Sequence, residues 1–265
     1  KGILTAILLF VLAFPACNKY AKLLKKGTPD EKYAAAKRYY EKKDYFRATP
    51  LFEDLIGTYK QKKESQEVYL LYAYCQFYQN EFSMAAYHFK NFSETYSYSP
   101  FREEAAFMAA KCEYEKSLPS PLDQTNTKTA IARLQLFVNQ FPDSKYIPEC
   151  NNLMDELRGK LHKKTYDKAM LFFNIGDYKA AMVSMKSAVN LYPDIPWKDE
   201  MMYTAAKAAY LYADNSINTQ QVERFNAALE LLEEYNQEYR GEGMFKADAA
   251  KLDKKIQDKL SKITK

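Results

Sequence analysis

Few residues in this 265-residue chain have the types and spacing that chemistry needs. The reactive groups to weigh first are four cysteines, Cys17, Cys75, Cys112 and Cys150, and two histidines, His88 and His162. A thiol can be a nucleophile, a metal ligand, half of a disulfide or an attachment point for lipid. No CxxC pair occurs, and setting Cys17 aside leaves an odd number, so no disulfide framework is indicated. Cys75, Cys112 and Cys150 lie in apolar helical surroundings and read as small buried hydrophobes. Neither histidine has a Cys, Asp or Glu at a ligand spacing above background, so both are assigned structural roles and no metal is expected. Gly241-Glu242-Gly243 is a lone GxG whose third glycine position holds Lys246, which rules out a dinucleotide loop. The acidic pairs Asp155-Glu156 and Glu233-Glu234 sit in charged helical surroundings and read as solvated faces. No nucleophile, base and orienting group come together, so a non-catalytic binding protein without a cofactor is expected.

Cys17 stands apart. It follows an uncharged, mostly apolar stretch, Gly2 to Ala16, that is too short for the roughly 18 residues of a spanning helix but fits the core of a secretory signal. The stretch ends at Phe14-Pro15-Ala16-Cys17, which resembles the lipobox of bacterial lipoproteins, although Phe14 and Pro15 depart from its usual Leu and small residue. That resemblance implies cleavage after residue 16 and a covalent lipid on the Cys17 thiol, the only prosthetic group expected. Residues 17–29 carry Lys19, Lys22, Lys25 and Lys26 and end in Gly27-Thr28-Pro29, and are expected to be a tether near anionic headgroups. The formal charge of +5 is mild and Lys and Arg alternate with Asp and Glu, so nucleic acid is not an expected partner.

The elements that carry these residues are read from repetition. With 7 Gly against 23 Tyr and 16 Phe, all-β and nucleotide-binding α/β folds are disfavoured. Ala36, Ala73, Ala110, Ala169 and Ala206 are each followed four residues later by an aromatic, Tyr40, Phe77, Tyr114, Phe173 and Tyr210, which puts each pair on one helix face. A second set, Ala48, Ala85, Ala130, Ala181 and Ala228, is followed by Phe52, Phe89, Leu134, Met185 and Leu232, and each unit closes with Tyr59, Tyr96, Phe141, Tyr192 or Tyr239. An alanine on each helix lets two antiparallel helices approach closely while the aromatic fills the space between neighbouring pairs. Turns such as Lys43-Asp44-Tyr45, Asn80-Glu81-Phe82 and Gly176-Asp177-Tyr178 separate the helices. The pattern resembles the tetratricopeptide repeat and implies an all-α solenoid of five helix pairs.

Departures from regularity carry further expectations. The first alanines are 37 residues apart except between repeats three and four, where the gap is 59. Part of the excess enters the Pro-rich turn Leu118 to Thr125, and the rest makes a long helix from about Glu149 to Asn174 that divides the chain into two arms. An insertion around Asp214 to Glu223 is expected to lengthen the turn of repeat five. Pro50 predicts a late start of its helix, with Thr49 capping, or a kink. Residues 246–265 form an amphipathic helix, with Ala249, Leu252, Ile256, Leu260 and Ile263 on one face, expected to cap the open end. The expected segments are therefore 1–16 (signal), 17–29 (tether), 30–146 (repeats one to three), 147–245 (long helix and repeats four and five) and 246–265 (cap).

The order of a lipobox, about five repeats, Asp123-Gln124-Thr125, Phe141-Pro142-Asp143-Ser144-Lys145-Tyr146, Leu157-Arg158-Gly159-Lys160-Leu161, and Gly176-Asp177-Tyr178 through Tyr192-Pro193-Asp194 resembles the BamD family of outer-membrane assembly lipoproteins. The resemblance spans roughly Tyr33 to Tyr239. It implies a non-catalytic scaffold, lipid-anchored on the periplasmic face of the Gram-negative outer membrane. Its implied partners are the POTRA domains of BamA, the other lipoproteins of that machinery and unfolded outer-membrane β-barrel precursors. BamA-side contacts are then expected at Arg158, Lys160, Ser184 and Lys186. The first two repeats are rich in tyrosine (Tyr33, Tyr39, Tyr69, Tyr72, Tyr74 and Tyr78), and precursors are expected there, through Tyr33, Tyr39, Tyr69 and Tyr72, since tyrosine combines apolar area with a hydrogen-bonding tip. A periplasmic adaptor for cell-wall or envelope enzymes is the alternative.

Overall fold

The structure, a computed structural model, describes residues 19–60, 62–240 and 242–263, which are helical with no strand among them. A short helix, α1 (residues 19–26), leads into α2 (Pro29–Glu41), α3 (Tyr45–Thr58), α4 (Ser65–Tyr78), α5 (Phe82–Thr95), α6 (Arg102–Glu115) and α7 (Thr125–Gln140). Then come α8 (Ile147–Asn174), α9 (Tyr178–Leu191), α10 (Lys198–Asp214), α11 (Asn218–Glu238) and α12 (Lys246–Ile263). Two compact units result: the first holds the described residues up to Leu118 with Asp123–Leu157, the second Pro119–Leu122 with the residues from Arg158 onward. Their boundary falls inside the long helix α8. The helices are paired as tetratricopeptide repeats: α2 with α3, α4 with α5 and α6 with α7 in the first unit, and α8 with α9 and α10 with α11 in the second. Chain reversal within a pair is visible where Tyr59, at the end of α3, donates its hydroxyl to Asp30 in the first turn of α2 at 2.8 Å. Tyr235, near the end of α11, does the same to Asp199 in the first turn of α10 at 2.9 Å.

The tight turns follow from single residues. Lys43, Asn80 and Gly176 hold the same place in repeats one, two and four, and all three are left-handed, with φ of 58°, 63° and 83°. The residue after each is the helix N-cap, and Asp44 and Asp177 accept from the backbone N–H of Arg47 (3.2 Å) and Ala180 (3.1 Å). Glycine takes this conformation freely and asparagine tolerates it, whereas a lysine Cβ crowds the following carbonyl at a cost of about 1 kcal/mol. Lys43→Gly is therefore expected to stabilise the first unit by about 1 kcal/mol, read as a higher urea midpoint with an unchanged slope. The longer turn of repeat three is held by side chains instead: Ser117 and Thr127 hydroxyls meet at 2.8 Å, and Asn126 donates to the carbonyl of Lys116 at 3.2 Å.

Three sequence expectations are corrected. Pro50 does not delay α3, which begins at Tyr45 under the Asp44 cap and runs through the proline. Ala48, Leu51, Phe52 and Leu55 on either side of it are fully buried, and that burial outweighs the roughly 3 kcal/mol a mid-helix proline costs. The insertion in repeat five does not lengthen a loop: only 215–217 separate α10 from α11, and residues 218–223, lacking glycine and proline, extend α11 to 21 residues. The segment expected as a tether is helical over 19–26. Its Tyr20, Leu23 and Leu24, at i, i+3 and i+4, pack on the first unit, and the Tyr20 hydroxyl donates to the Arg47 carbonyl at 3.0 Å. The long helix and the C-terminal helix form as expected.

One continuous core fills the first unit around Leu51, Phe52, Leu55, Phe89, Phe92, Leu134 and Leu157. Cys75, Cys112 and Cys150 are free thiols in that core, and burial pushes them up to about 12, 12 and 11. In the second unit Met185 and Met201 anchor one cluster, and Phe225, Leu232 and Tyr235 anchor another that Ala249, Leu252 and Ile256 of α12 cover. The cap depends on Gly243: a Cβ there would collide with the Tyr235 hydroxyl, which also accepts from the Phe245 backbone N–H at 3.1 Å.

Candidate partner-binding site

The tyrosines expected to meet a client do not share one environment. Tyr69 and Tyr72 are inside the first unit, 9% and 5% exposed, which corrects their assignment as contact residues. Both rings pack edge-on against His88, at 5.7 and 4.8 Å, and the Tyr69 hydroxyl accepts from the Asn91 amide at 2.7 Å. Helix α4 lies between α3 and α5, so it buries more than one face and a tyrosine stripe on it becomes core. Tyr33 and Tyr39 are half-buried and do offer surface. The Tyr33 hydroxyl donates to Glu67 at 2.6 Å beside Lys37, whose ammonium is 2.8 Å from the same carboxylate. Lys37 first, then Tyr33, holds the Glu67 carboxyl below its usual range. Tyr39 has its ring flanked by the guanidinium groups of Arg38 and Arg47, each 5.8 Å from the centroid, and Tyr20 packs on it edge-on at 5.7 Å.

His88 has a pH consequence. Its Nδ1 lies 3.2 Å from the Tyr69 hydroxyl while Nε2 is buried with no hydrogen-bond partner, and burial lowers its pKa. The unfolded chain takes up this proton near 6.5, the folded chain only at lower pH. Stability due to the neutral ring is thus complete above about pH 6.5 and is lost as pH falls through the folded value. His88→Gln is expected to flatten the fall in urea midpoint between about pH 7 and 5 relative to the parent chain.

Tyrosine-to-carboxylate bonds recur along the first helices of the pairs. Tyr33 on α2 reaches Glu67 on α4, Tyr74 on α4 reaches Glu104 on α6, and Tyr114 on α6 reaches Glu156 on α8. Tyr166 on α8 reaches Glu200 on α10 at 2.9 Å. The Tyr114 and Tyr166 phenols are each pushed up to about 12, the former mainly by its carboxylate and the latter mainly by burial, so all remain donors at neutral pH.

Phe46, which sequence reasoning missed, and Tyr78, one of the tyrosines of the first repeats, are more open than the four residues singled out as contacts. Phe46 is 80% exposed and Tyr78 46%. Tyr78 stacks on Tyr45 at 4.6 Å and on Tyr74 at 5.9 Å, ending a run of rings that also includes Tyr40. The available signal was position: Phe46 follows the turn residue Tyr45 and Tyr78 follows the marker Phe77, and the next residue on a helix turns about 100° away from such a half-buried ring.

The four positions expected on the BamA side all lie in the second unit. Arg158 is exposed and Lys160 half-buried on α8, and Ser184 is half-buried on α9. Lys186 on α9 is exposed and pairs with Glu234 of α11 at 2.7 Å, so that ammonium is already balanced by a carboxylate. Cys17 lies outside the described residues. No helix among the described residues is long and apolar enough to cross a membrane.

Successive helix pairs, each closed by the same alanine and aromatic positions, define a tetratricopeptide-repeat protein. A family model described as YfiO, outer membrane lipoprotein, matches residues 25–171, more than half of the chain. The chain belongs to the YfiO outer membrane lipoprotein family. No curated protein matches it significantly. Among solved structures, the P58(IPK) TPR domain, determined by crystallography at 2.5 Å, is similar with a TM-score of 0.41 and 15% identity, over 92% of this chain and 67% of that one.

Proposed function

We propose that the protein is a non-catalytic scaffold of the outer-membrane β-barrel assembly machinery, held by lipid on Cys17 at the periplasmic face of the outer membrane. The observation that carries this is the family match across residues 25–171, which takes in all three helix pairs of the first unit and most of the second unit's share of α8. In this reading the second unit docks on the POTRA domains of BamA through α8 and α9, with Arg158, Lys160 and Ser184 as contacts and Lys186 free to exchange Glu234 for a partner carboxylate. Exposed ion pairs of this kind contribute only about 0–1 kcal/mol, so such an exchange is nearly neutral in cost. The first unit receives unfolded barrel precursors, with Tyr33, Tyr39 and the exposed ring of Tyr78 supplying apolar area and hydrogen bonds. Other lipoproteins of the machinery complete the assembly, and no cofactor takes part beyond the covalent lipid. Depletion in cells is expected to lower the levels of all outer-membrane barrels together, and the tagged protein to co-purify with BamA. Unchanged barrel levels after depletion would refute the proposal.

A further inference from the structure

The two units contain the same groove in two states. In the second, α9 and α11 flank α10, and the space between them is reduced to about 70 Å³. Lys186 and Glu234 bridge its mouth at 2.7 Å, and Met202 and Leu231 fill its floor and wall. In the first, α5 and α7 flank α6 in the same way, but the groove is open, with a volume of about 380 Å³. The repeat alanines give the register: Lys186 is five residues after Ala181 as Lys90 is after Ala85, and Glu234 is six after Ala228 as Leu136 is after Ala130. By the same count Met202 corresponds to Ala106 and Leu231 to Arg133. The open groove therefore lacks the bridging carboxylate and the two filling side chains, and it carries the guanidinium of Arg133 together with Glu94 and Glu113, where the second unit has Asn190 and Ala209.

Its charges are unbalanced. Of the carboxylates in the lining, Glu94 pairs with Lys90 at 3.8 Å and Glu113 with Lys116 at 2.8 Å. Among the described residues no carboxylate pairs with Arg102 or Arg133. Arg102 lies over the Phe141 ring at 5.4 Å, and its Nε is buried without a hydrogen-bond partner. The floor is Ala106, Ala109 and Ala110, small enough for a backbone to come close, and the lips carry Tyr87 and Leu136, 60% and 54% exposed.

We propose that the groove between α5 and α7 is a docking site for an acidic peptide segment of a partner protein, whose carboxylates meet Arg102 and Arg133 and whose apolar side chain takes the space that Met202 fills in the second unit. A guanidinium pairs with a carboxylate through two parallel N–H donors, so two of them about a small-residue floor select acidic over neutral or basic segments. The site is distinct from the tyrosine surface above and stands whether or not barrel precursors are the clients.

The test uses the full chain and two synthetic 12-residue peptides with capped ends, one of Leu, Ala and Glu and one with Gln in place of every Glu, titrated by calorimetry. The Glu peptide is expected to bind at least roughly tenfold more tightly than the Gln peptide, and to weaken with added salt. Arg133→Gln, an exposed change that does not perturb folding, is expected to lower the affinity several-fold. The double variant Ala106→Met, Leu136→Glu installs the residues of the closed groove at equivalent positions and is expected to abolish binding. Lys254→Gln with Lys255→Gln on the exposed face of α12 is expected to leave binding unchanged. Equal affinity for the two peptides, no binding of either, no effect of Arg133→Gln, or a loss that follows the α12 lysines instead would each overturn the proposal.

Discussion

Phe89→Ala is expected to open the first unit of the chain. Phe89 is fully buried on α5, and the Tyr74 ring meets it edge-on at 4.9 Å. Removing a ring from a closed core costs the lost transfer energy plus the cavity left behind, about 3–5 kcal/mol, against a total stability of about 5–15 kcal/mol for a typical domain. The core around it has little slack to fill the space, because Phe92 on the same helix and Leu51 and Phe52 of the same cluster are themselves fully enclosed. The chain carries its own reporters. Cys75, Cys112 and Cys150 are expected to stay unlabelled by thiol reagents while the first unit is closed, since they are buried and their thiolate form is suppressed. In a Cys17→Ser background, Phe89→Ala should raise their labelling rate by roughly a hundredfold or more, in line with the free-energy loss. Trp197, packed on Tyr166 at 4.7 Å in the second unit, provides the internal reference by fluorescence. An unchanged labelling rate would mean that the pair formed by α4 and α5 is not the keystone of this core.

Cys17→Ala is expected to move the protein from the membrane pellet to the soluble fraction. Each buried methylene of an acyl chain contributes about 0.8 kcal/mol to membrane binding, so two or more chains hold a domain firmly and none holds it not at all. Among the described residues no helix offers a substitute anchor. The lysines of α1 and the exposed face of α12 add only weak, salt-sensitive attraction to anionic headgroups, which a wash at high ionic strength removes. Retention of the variant in the washed pellet would sink the lipoprotein reading and leave the fold unaffected.

The helix pairs were legible because alanine and aromatic markers at a spacing of four declare a face, and five copies declare a register. The long helix α8 was legible from the surplus between Ala110 and Ala169. What periodicity does not carry is the identity of the neighbour. Tyr69 and Tyr72 satisfy the same pattern as a surface stripe, and only the enclosure of α4 by α3 and α5 shows that they are core. Local propensity at Pro50 points to a late helix start, and it is overridden by the four buried side chains around the proline. Residues 218–223 read as a loop only if an insertion is equated with irregular chain, and nothing in their composition stops a helix. The open groove was in principle readable: setting Lys90 and Leu136 beside Lys186 and Glu234 needs only the alanine register. That comparison is between second helices, where an exposed leucine draws no notice until its counterpart is seen to close a bridge.

The tyrosine-to-carboxylate bonds have a direction, and this makes the pairs interchangeable parts. α4 accepts from the pair before it through Glu67 and donates to the pair after it through Tyr74, and α6 does the same with Glu104 and Tyr114. Each joint is thus a coupling with a distinct head and tail. A tandem duplication of the segment from α4 to α5 would present an acceptor at its entry and a donor at its exit, and would join both neighbours without a new bond having to evolve. The array is built to be lengthened one whole pair at a time, while a duplication out of phase would set donor against donor and fail at the seam.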